Sequence, residues 1–201
     1  MTEDTHESHQ QRMQRRKQAF EERKAKATRE KGLLIVHTGA GKGKTTASLG
    51  LAFRALGQGM KVGIVQFIKG AIPTGEAALA RKLDLPIEIH TMGDGFTWNT
   101  QDRERDVASA RQAWDKALEL LRDESFDLVI LDELNVVLKY DYLPLEEVLE
   151  ALRRKPERLH VVITGRNAQE KLIDLADLVT EMKLVKHPYR QGIKPQKGIE
   201  Y

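Results

Sequence analysis

A glycine-rich segment that carries two lysines and two threonines is the part of this sequence best suited to bind phosphate. The segment is Gly39-Ala40-Gly41-Lys42-Gly43-Lys44-Thr45-Thr46, and it follows the apolar run Leu33–His37. In such a loop the backbone N–H groups curl around phosphate oxygens, a lysine such as Lys44 neutralises them, and a hydroxyl such as that of Thr45 ligates Mg²⁺. We therefore predict that these eight residues bind ATP with Mg²⁺ and that Lys44 is catalytic.

The alternative for this segment is a glycine-rich turn that only starts a helix. The usual phosphate-loop pattern has a glycine five positions before Gly43, and here that position is Thr38. The rest of the pattern is intact, with a strand-like run before it and an Ala/Leu-rich helical pattern after it. Because strand, glycine loop and helix occur in that order, phosphate binding is the favoured interpretation.

A second motif supplies carboxylates. Four apolar residues, Leu128–Leu131, are followed directly by Asp132 and Glu133. A buried strand of this kind delivers its acids to the carboxyl edge of a parallel sheet, beside the phosphate loop. Mg²⁺ prefers oxygen ligands and keeps part of its water shell, so either acid can hold it directly or through water. The choice between the two stays open.

Two arginines are candidates for direct contact with phosphate. Arg54 lies on the helical pattern after the glycine loop, and Arg166 follows the apolar run His160–Thr164. A guanidinium can bind a phosphate through two parallel hydrogen bonds. For Arg54 a surface ion pair is an equal alternative, whereas the position of Arg166 at a strand end favours a role in the site.

The order of apolar runs and amphipathic stretches predicts how these residues are held. Strands are predicted at Leu33–His37, Lys61–Ile68, Pro86–Met92, Phe126–Asp132, His160–Thr164 and Leu178–Val185. Helices are predicted between them at Lys44–Leu56, Gly75–Leu83, Asp102–Arg122, Leu145–Arg153 and Ala168–Leu175. This alternation predicts an α/β fold with a mostly parallel sheet flanked by helices. Ligands of such sheets bind beyond the carboxyl ends of the strands, where all these motifs fall.

A second glycine-rich loop carries two aromatic residues. It follows the third predicted strand and includes Gly95-Phe96-Thr97-Trp98. In one interpretation Phe96 and Trp98 pack on the edge of the sheet. In the other they form a surface for a flat apolar ligand next to the nucleotide. The local sequence does not separate these two interpretations.

Charge and composition narrow the class of protein. The net charge is +3, and residues 1–32 hold nine Lys/Arg against six Asp/Glu, so the excess lies in this N-terminal arm. A solvated helix is favoured over a polyanion-binding segment, and no nucleic-acid partner is expected. The chain has no Cys and no apolar run long enough for a bilayer. We therefore expect no disulfide, no membrane association and a cytoplasmic location.

The same patterns predict three segments. Residues 1–32 form a basic, helical arm with almost no large apolar residues, which would have to dock on another surface to bury any of them. Residues 33–185 form the α/β domain that contains the phosphate loop. Residues 186–201 contain two prolines and two glycines, which favour an extended segment packed on the domain.

Several further motifs accompany the phosphate loop. They are Val65–Gly70, Gly95–Trp98, Leu131–Leu134, Tyr140–Val148, Ile163–Arg166, Asp174–Asp177 and Val185–His187. With this combination the sequence resembles, over essentially its whole length, the P-loop corrinoid adenosyltransferases of bacterial vitamin B12 biosynthesis and salvage. The resemblance implies a P-loop NTPase fold of the RecA-like type, with ATP and a corrinoid as substrates.

The resemblance also implies a reaction. The 5′-deoxyadenosyl group of ATP passes to Co(I) of the corrinoid, and triphosphate leaves. Phe96 and Trp98 match aromatics that displace the lower axial ligand of Co(II), so that a flavodoxin-like donor can reduce it. The N-terminal arm matches a helix that caps the corrinoid site in a homodimer. Cobalamin, cobinamide and an early precursor all remain possible as the preferred corrinoid.

Two other functions would use some of the same motifs. A RecA-like ATPase acting on nucleic acid would use the phosphate loop, the acidic pair and the basic arm, but the neutral body of the chain argues against it. A nucleotide-operated switch would bind ATP and a protein partner without consuming the adenosyl group.

Overall fold

The computed structural model describes residues 3–68, 75–92 and 102–199, and it divides into two compact units, Met1–Glu30 and Lys31–Tyr201. The first unit contains a single described helix, α1 (Glu3–Lys26). Its side chains are exposed from Ser8 onward, including the large apolar side chains of Met13 and Phe20. The arm is thus helical, and its capping role stays a prediction.

The second unit is built on a parallel sheet. The strands are β1 (Leu34–Thr38), β2 (Val62–Gln66), β3 (Ile87–Thr91), β4 (Leu128–Asp132), β5 (His160–Thr164) and β6 (Leu178–Glu181). They pair in the order β3-β2-β4-β5-β1-β6, and every pairing is parallel. Because β5 lies between β1 and β4, its carboxyl end separates the phosphate loop from the acidic pair.

Helices connect these strands. They are α2 (Lys44–Leu56), α3 (Gly75–Lys82), α4 (Arg103–Arg122), α5 (Leu134–Lys139), α6 (Leu145–Arg153) and α7 (Glu170–Leu175), followed by a 3-10 helix at Pro188–Gln191. The predicted α/β fold with a mostly parallel, helix-flanked sheet is confirmed.

The alternation of side chains along each strand divides the core between the two faces of the sheet. Leu34 and Val36 of β1 belong to the larger cluster, which includes α4, α5 and α6 and the fully buried Trp114. Ile35 of the same strand belongs to the smaller cluster on the other face, with residues of α2. Side chains of consecutive strand residues point to opposite faces, so the apolar runs of β1, β2 and β4 are buried on both sides, whereas the edge strand β6 is exposed.

Several predicted elements differ by one or two residues at their ends, and the segment predicted to be extended after residue 185 contains the 3-10 helix Pro188–Gln191. Two differences are larger. The sixth strand ends at Glu181, four residues before the predicted Val185, because the chain leaves the sheet at Met182 and passes beside the phosphate loop. The short helix α5 was not predicted, because its six residues continue an apolar stretch that offers no helical period long enough to recognise.

Candidate functional site

The phosphate loop connects the carboxyl end of β1 to the first residue of α2, Lys44. Two of its glycines have backbone conformations that other residues rarely adopt, with φ of 96° at Gly39 and 105° at Gly43. Gly43 caps the N-terminus of α2, so the first N–H groups of this helix open toward the loop. The predicted order of strand, loop and helix is therefore present, with the positive end of a helix dipole at the loop.

The chain just after β6 supports the loop from behind. The amide of Gly41 donates to the carbonyl oxygen of Met182 over 2.6 Å, and the amide of Met182 donates to the carbonyl oxygen of Thr38 over 2.8 Å. A Cβ atom on Gly39 would lie 2.5 Å from the Met182 oxygen, and one on Gly41 would lie 2.7 Å from it. Both glycines are thus required by this close approach of two backbone segments.

The Lys44 side chain is held inside the loop. Only 6% of the residue is exposed, and Nζ donates to the carbonyl oxygens of Gly39 over 2.9 Å and Gly41 over 2.6 Å. An ammonium group has three N–H donors. Two of them are used by the described loop carbonyls, so a third can be donated to a phosphate oxygen.

Burial lowers the pKa of the Lys44 ammonium, and the charge of Arg166 lowers it further, while Glu133 and Asp132 raise it. The charges of these three residues therefore influence the Lys44 ammonium. Burial also lowers the pKa of His37, which precedes the loop and whose Nδ1 has no hydrogen-bond partner in the described part of the chain; the Lys44 backbone opposes this shift. His37 is therefore a neutral side chain of the strand near neutral pH.

Asp132 lies at the end of β4 and is 1% exposed. Its Oδ1 accepts hydrogen bonds from the hydroxyls of Thr45, over 2.9 Å, and Thr164, over 2.7 Å. Its Oδ2 accepts a longer bond of 3.4 Å from the amide of Gln66. Asp132 therefore joins the phosphate loop to the ends of β2 and β5.

Glu133 has a left-handed backbone conformation, with φ of 65°, and its side chain is partly exposed. Its amide donates to the hydroxyl of Thr164 over 2.9 Å. The carboxylate lies close to Gly165, since a Cβ there would be 3.2 Å from Glu133 Oε2. The exposed Arg166 follows directly, so the second carboxylate and this guanidinium flank the same edge of the sheet.

The structure also places the other residues predicted for the site. Ala40, Lys42 and Thr46 are exposed around the loop. Arg54 is exposed in the last turn of α2, and its Cα lies about 15 Å along the helix from that of Lys44. Phe96 and Trp98 lie outside the described residues.

Gln66 and Thr164 were not assigned a role from the sequence. Gln66 accepts from the hydroxyl of Thr91 over 3.0 Å and donates to Asp132, while Thr164 contacts both acidic residues. Thr164 ends one predicted strand and Gln66 lies two residues before the end of another, but only the sheet order reveals their common partner.

Comparison with known proteins shows the family to which this chain is related. The model of the family "ATP:corrinoid adenosyltransferase BtuR/CobO/CobP" matches residues 30–201. The chain belongs to this family. A "Corrinoid adenosyltransferase" of Pseudomonas aeruginosa is 53% identical to it over 193 residues, covering 96% of this chain and 95% of that protein. The "Corrinoid adenosyltransferase" of Escherichia coli K12 is 50% identical over 195 residues, which cover 97% of this chain and 98% of that protein.

Among solved structures, the RadB recombinase superposes with a TM-score of 0.47 at 16% identity, covering 79% of this chain and 78% of that one. The predicted P-loop NTPase fold of the RecA-like type follows from the parallel sheet and the strand–loop–helix arrangement at Gly39–Thr46. In the described part of this adenosyltransferase, no helix is long and apolar enough to cross a membrane.

Proposed function

We propose that this enzyme transfers the 5′-deoxyadenosyl group of ATP to Co(I) of a corrinoid and releases triphosphate. The electron pair of Co(I) forms the new bond to C5′, and the C5′–O bond breaks with its electrons leaving on the triphosphate. The observation that supports this most strongly is the Lys44 ammonium, which two loop carbonyls hold within the phosphate loop. A fixed cation there stabilises the charge that develops on the leaving group.

Mg²⁺ fits the residues at the end of β4. No three His, Asp or Glu side chains of the described residues converge as a metal cage. That absence does not exclude Mg²⁺, because this ion binds nucleotide sites through one or two protein oxygens, substrate phosphates and water. Thr45, Asp132 and Glu133 supply only oxygen donors. When bound, the ion would neutralise part of the triphosphate charge.

We propose different roles for the two acids. Asp132 is buried and accepts hydrogen bonds from three side chains, so it orients the Thr45 hydroxyl. Because Thr45 donates its proton to Asp132, the lone pairs of the hydroxyl remain for the metal. Glu133 is partly exposed beside Lys44 and Arg166, and it contacts the metal or its water.

Our proposal for how the corrinoid is reduced and bound rests on the family resemblance. We propose that Phe96 and Trp98 displace the lower axial ligand of Co(II), that a flavodoxin-like protein reduces the cobalt, and that the enzyme works as a cytoplasmic homodimer capped by α1. Removing an electron-donating axial ligand makes the metal easier to reduce. Arg54, Arg166 and residues Gly39–Thr46 are proposed to bind the nucleotide.

The test is an assay of products. The protein is incubated with ATP, Mg²⁺ and chemically reduced cobalamin, and adenosylcobalamin and triphosphate are quantified. Equal amounts of both are expected. ADP and phosphate formed faster in the presence of DNA would instead identify a nucleic-acid ATPase, and binding of ATP without turnover would identify a switch.

A further inference from the structure

Thr164, at the carboxyl end of β5, contacts both acidic residues through a single hydroxyl. Its side chain is fully buried, and Oγ1 donates to Asp132 Oδ1 over 2.7 Å while accepting from the backbone amide of Glu133 over 2.9 Å. A hydroxyl has one proton to donate. That proton is used on Asp132, so the directions of both hydrogen bonds are set.

The bond to the Glu133 amide matters because of the backbone at that residue. Glu133 has φ of 65° and ψ of 19°, a left-handed conformation that costs about 1 kcal/mol or more for a residue other than glycine. Such a conformation persists only where the surroundings hold it. The Thr164 hydroxyl provides one of these contacts, and thereby helps to set the direction in which the Glu133 side chain leaves the backbone.

The residue after Thr164 reinforces this arrangement. The carbonyl oxygen of Gly165 accepts from the Asn135 amide over 3.1 Å, and a Cβ on Gly165 would lie 2.8 Å from the Cβ of Asn135. The end of β5 is therefore packed directly against the turn that begins at Glu133. There is no room for this turn to shift toward β5.

The bond to Asp132 acts on the phosphate loop. Asp132 Oδ1 accepts from Thr164 and Thr45 together. With the Thr164 proton directed at the same oxygen, the carboxylate is held in the orientation that receives the Thr45 hydroxyl. Loss of the Thr164 donor would allow the carboxylate to rotate and the Thr45 lone pairs to turn with it.

We propose that Thr164 is a positioning residue for the metal-nucleotide site, acting through Asp132 on Thr45 and through the backbone on Glu133. This inference rests on the proposed function of the site, namely that these residues hold Mg²⁺ with ATP. Partners that orient metal ligands in this way typically change metal affinity by about 10- to 100-fold when they are removed.

The test compares Thr164→Val, which keeps the shape and loses the hydroxyl, with Thr164→Ser, which keeps the hydroxyl and loses the methyl group. Affinity for Mn²⁺ in the presence of ATP is measured by electron paramagnetic resonance, together with the Mg²⁺ dependence of turnover and the melting temperature. We expect Thr164→Val to bind Mn²⁺ about 10- to 100-fold more weakly and Thr164→Ser to stay close to wild type. Thr180→Val, on the exposed strand β6, is the control and should not change Mn²⁺ affinity.

Wild-type Mn²⁺ affinity in a folded Thr164→Val variant would overturn the proposal. An equal loss in Thr164→Ser would overturn it too, because packing of the methyl group would then explain both variants. If Thr164→Val does not fold, Thr164→Ala, which also lacks the hydroxyl, takes its place in the comparison with Thr164→Ser. Failure of wild-type protein to form adenosylcobalamin would reject the proposed function and leave the Mn²⁺ comparison interpretable.

Discussion

Thr45 donates its hydroxyl proton to Asp132 Oδ1 over 2.9 Å, although the two residues are 87 positions apart in the sequence. The bond joins the first turn of α2 to the end of β4. It fixes which side of the hydroxyl carries the proton and which side carries the lone pairs. This bond therefore couples the phosphate loop to the acidic pair, so that a substitution of Thr45 alters the hydrogen bonding of Asp132, and a substitution of Asp132 alters that of Thr45.

Replacing Thr45 should weaken the dependence on Mg²⁺. Thr45→Ala removes both the proposed metal ligand and the donor to Asp132, so half-maximal turnover should need at least about tenfold more Mg²⁺. Thr45→Ser retains the hydroxyl and should recover most of the activity. Titration of turnover with Mg²⁺ measures the effect, and an unchanged titration curve in Thr45→Ala would remove Thr45 from the proposed ligands.

Lys44→Ala should nearly abolish adenosyl transfer. The ammonium is proposed to neutralise charge on the leaving triphosphate, and loss of one such group typically lowers kcat by about 10²- to 10³-fold. The fold should survive, because Lys44, at the first position of α2, belongs to neither apolar core cluster. Lys171→Ala, which removes an exposed ion pair with Glu146, should leave turnover and melting temperature unchanged. Wild-type turnover in Lys44→Ala would reject the proposed site.

Replacing Gly41 in the phosphate loop and replacing Gly50 in α2 by alanine should have opposite effects on the stability of the protein. A Cβ at Gly41 would lie 2.7 Å from the Met182 carbonyl oxygen, so Gly41→Ala should cost about 1–3 kcal/mol and reduce ATP affinity. Gly50 is exposed within α2 and has no atom within 4 Å of an added Cβ. Gly50→Ala should therefore stabilise the protein by about 0.5–1 kcal/mol.

Denaturant unfolding and calorimetric titration with ATP measure these two effects. The contrast isolates crowding at the loop from the general effect of adding a methyl group. A Gly41→Ala variant with wild-type stability and affinity would mean that the Met182 segment moves freely and does not support the loop.

Substitution of the aromatic pair should separate cobalt reduction from adenosyl transfer. In Phe96→His or Trp98→His the new imidazole can ligate cobalt and restore electron density, so the reaction from Co(II) with a biological reductant should fail. With chemically prepared Co(I) the same variants should regain most of their activity, because the nucleotide site is untouched. Equal losses from both starting states, with a lower melting temperature, would assign the two aromatics to packing.

The stability of the fold should fall as the pH falls through the range in which histidine titrates. Burial, with a further contribution from Lys155, lowers the pKa of His160, while Asp127 opposes this shift. The unfolded chain, with a pKa near 6.5, therefore takes up a proton before the folded protein does. The free energy of unfolding should decrease below that pH, by at most about 1.4 kcal/mol per pH unit for this one group.

His160→Asn tests this assignment, because the asparagine oxygen can still accept the bond that His160 Nδ1 receives from the Leu33 amide. The pH slope of the unfolding free energy between pH values of about 7.5 and 5 should become smaller than in wild type. An unaltered slope in His160→Asn would assign the pH dependence to other groups.

Local patterns were sufficient to predict much of this structure. The bounds of β5, α2 and α6 were correct to the residue, because each is a complete apolar or amphipathic period next to a turn. The strand–loop–helix arrangement around Gly39–Thr46 was equally predictable, since its glycines and the start of α2 lie within one short segment. Features that depend on distant partners were missed. Neither the support from Met182 nor the two bonds of Thr164 can be read from neighbouring residues, because the sheet order creates both.

The position of β1 between β5 and β6 has a consequence for protein synthesis. A ribosome completes the phosphate loop early, but both strands that hydrogen-bond to β1 come from the last quarter of the chain. A nascent chain that has reached only α4 therefore carries β1 and the loop Gly39–Thr46 with no neighbouring strand to hold them. We therefore expect bound ATP to stabilise this loop only in chains that already include β5 and β6.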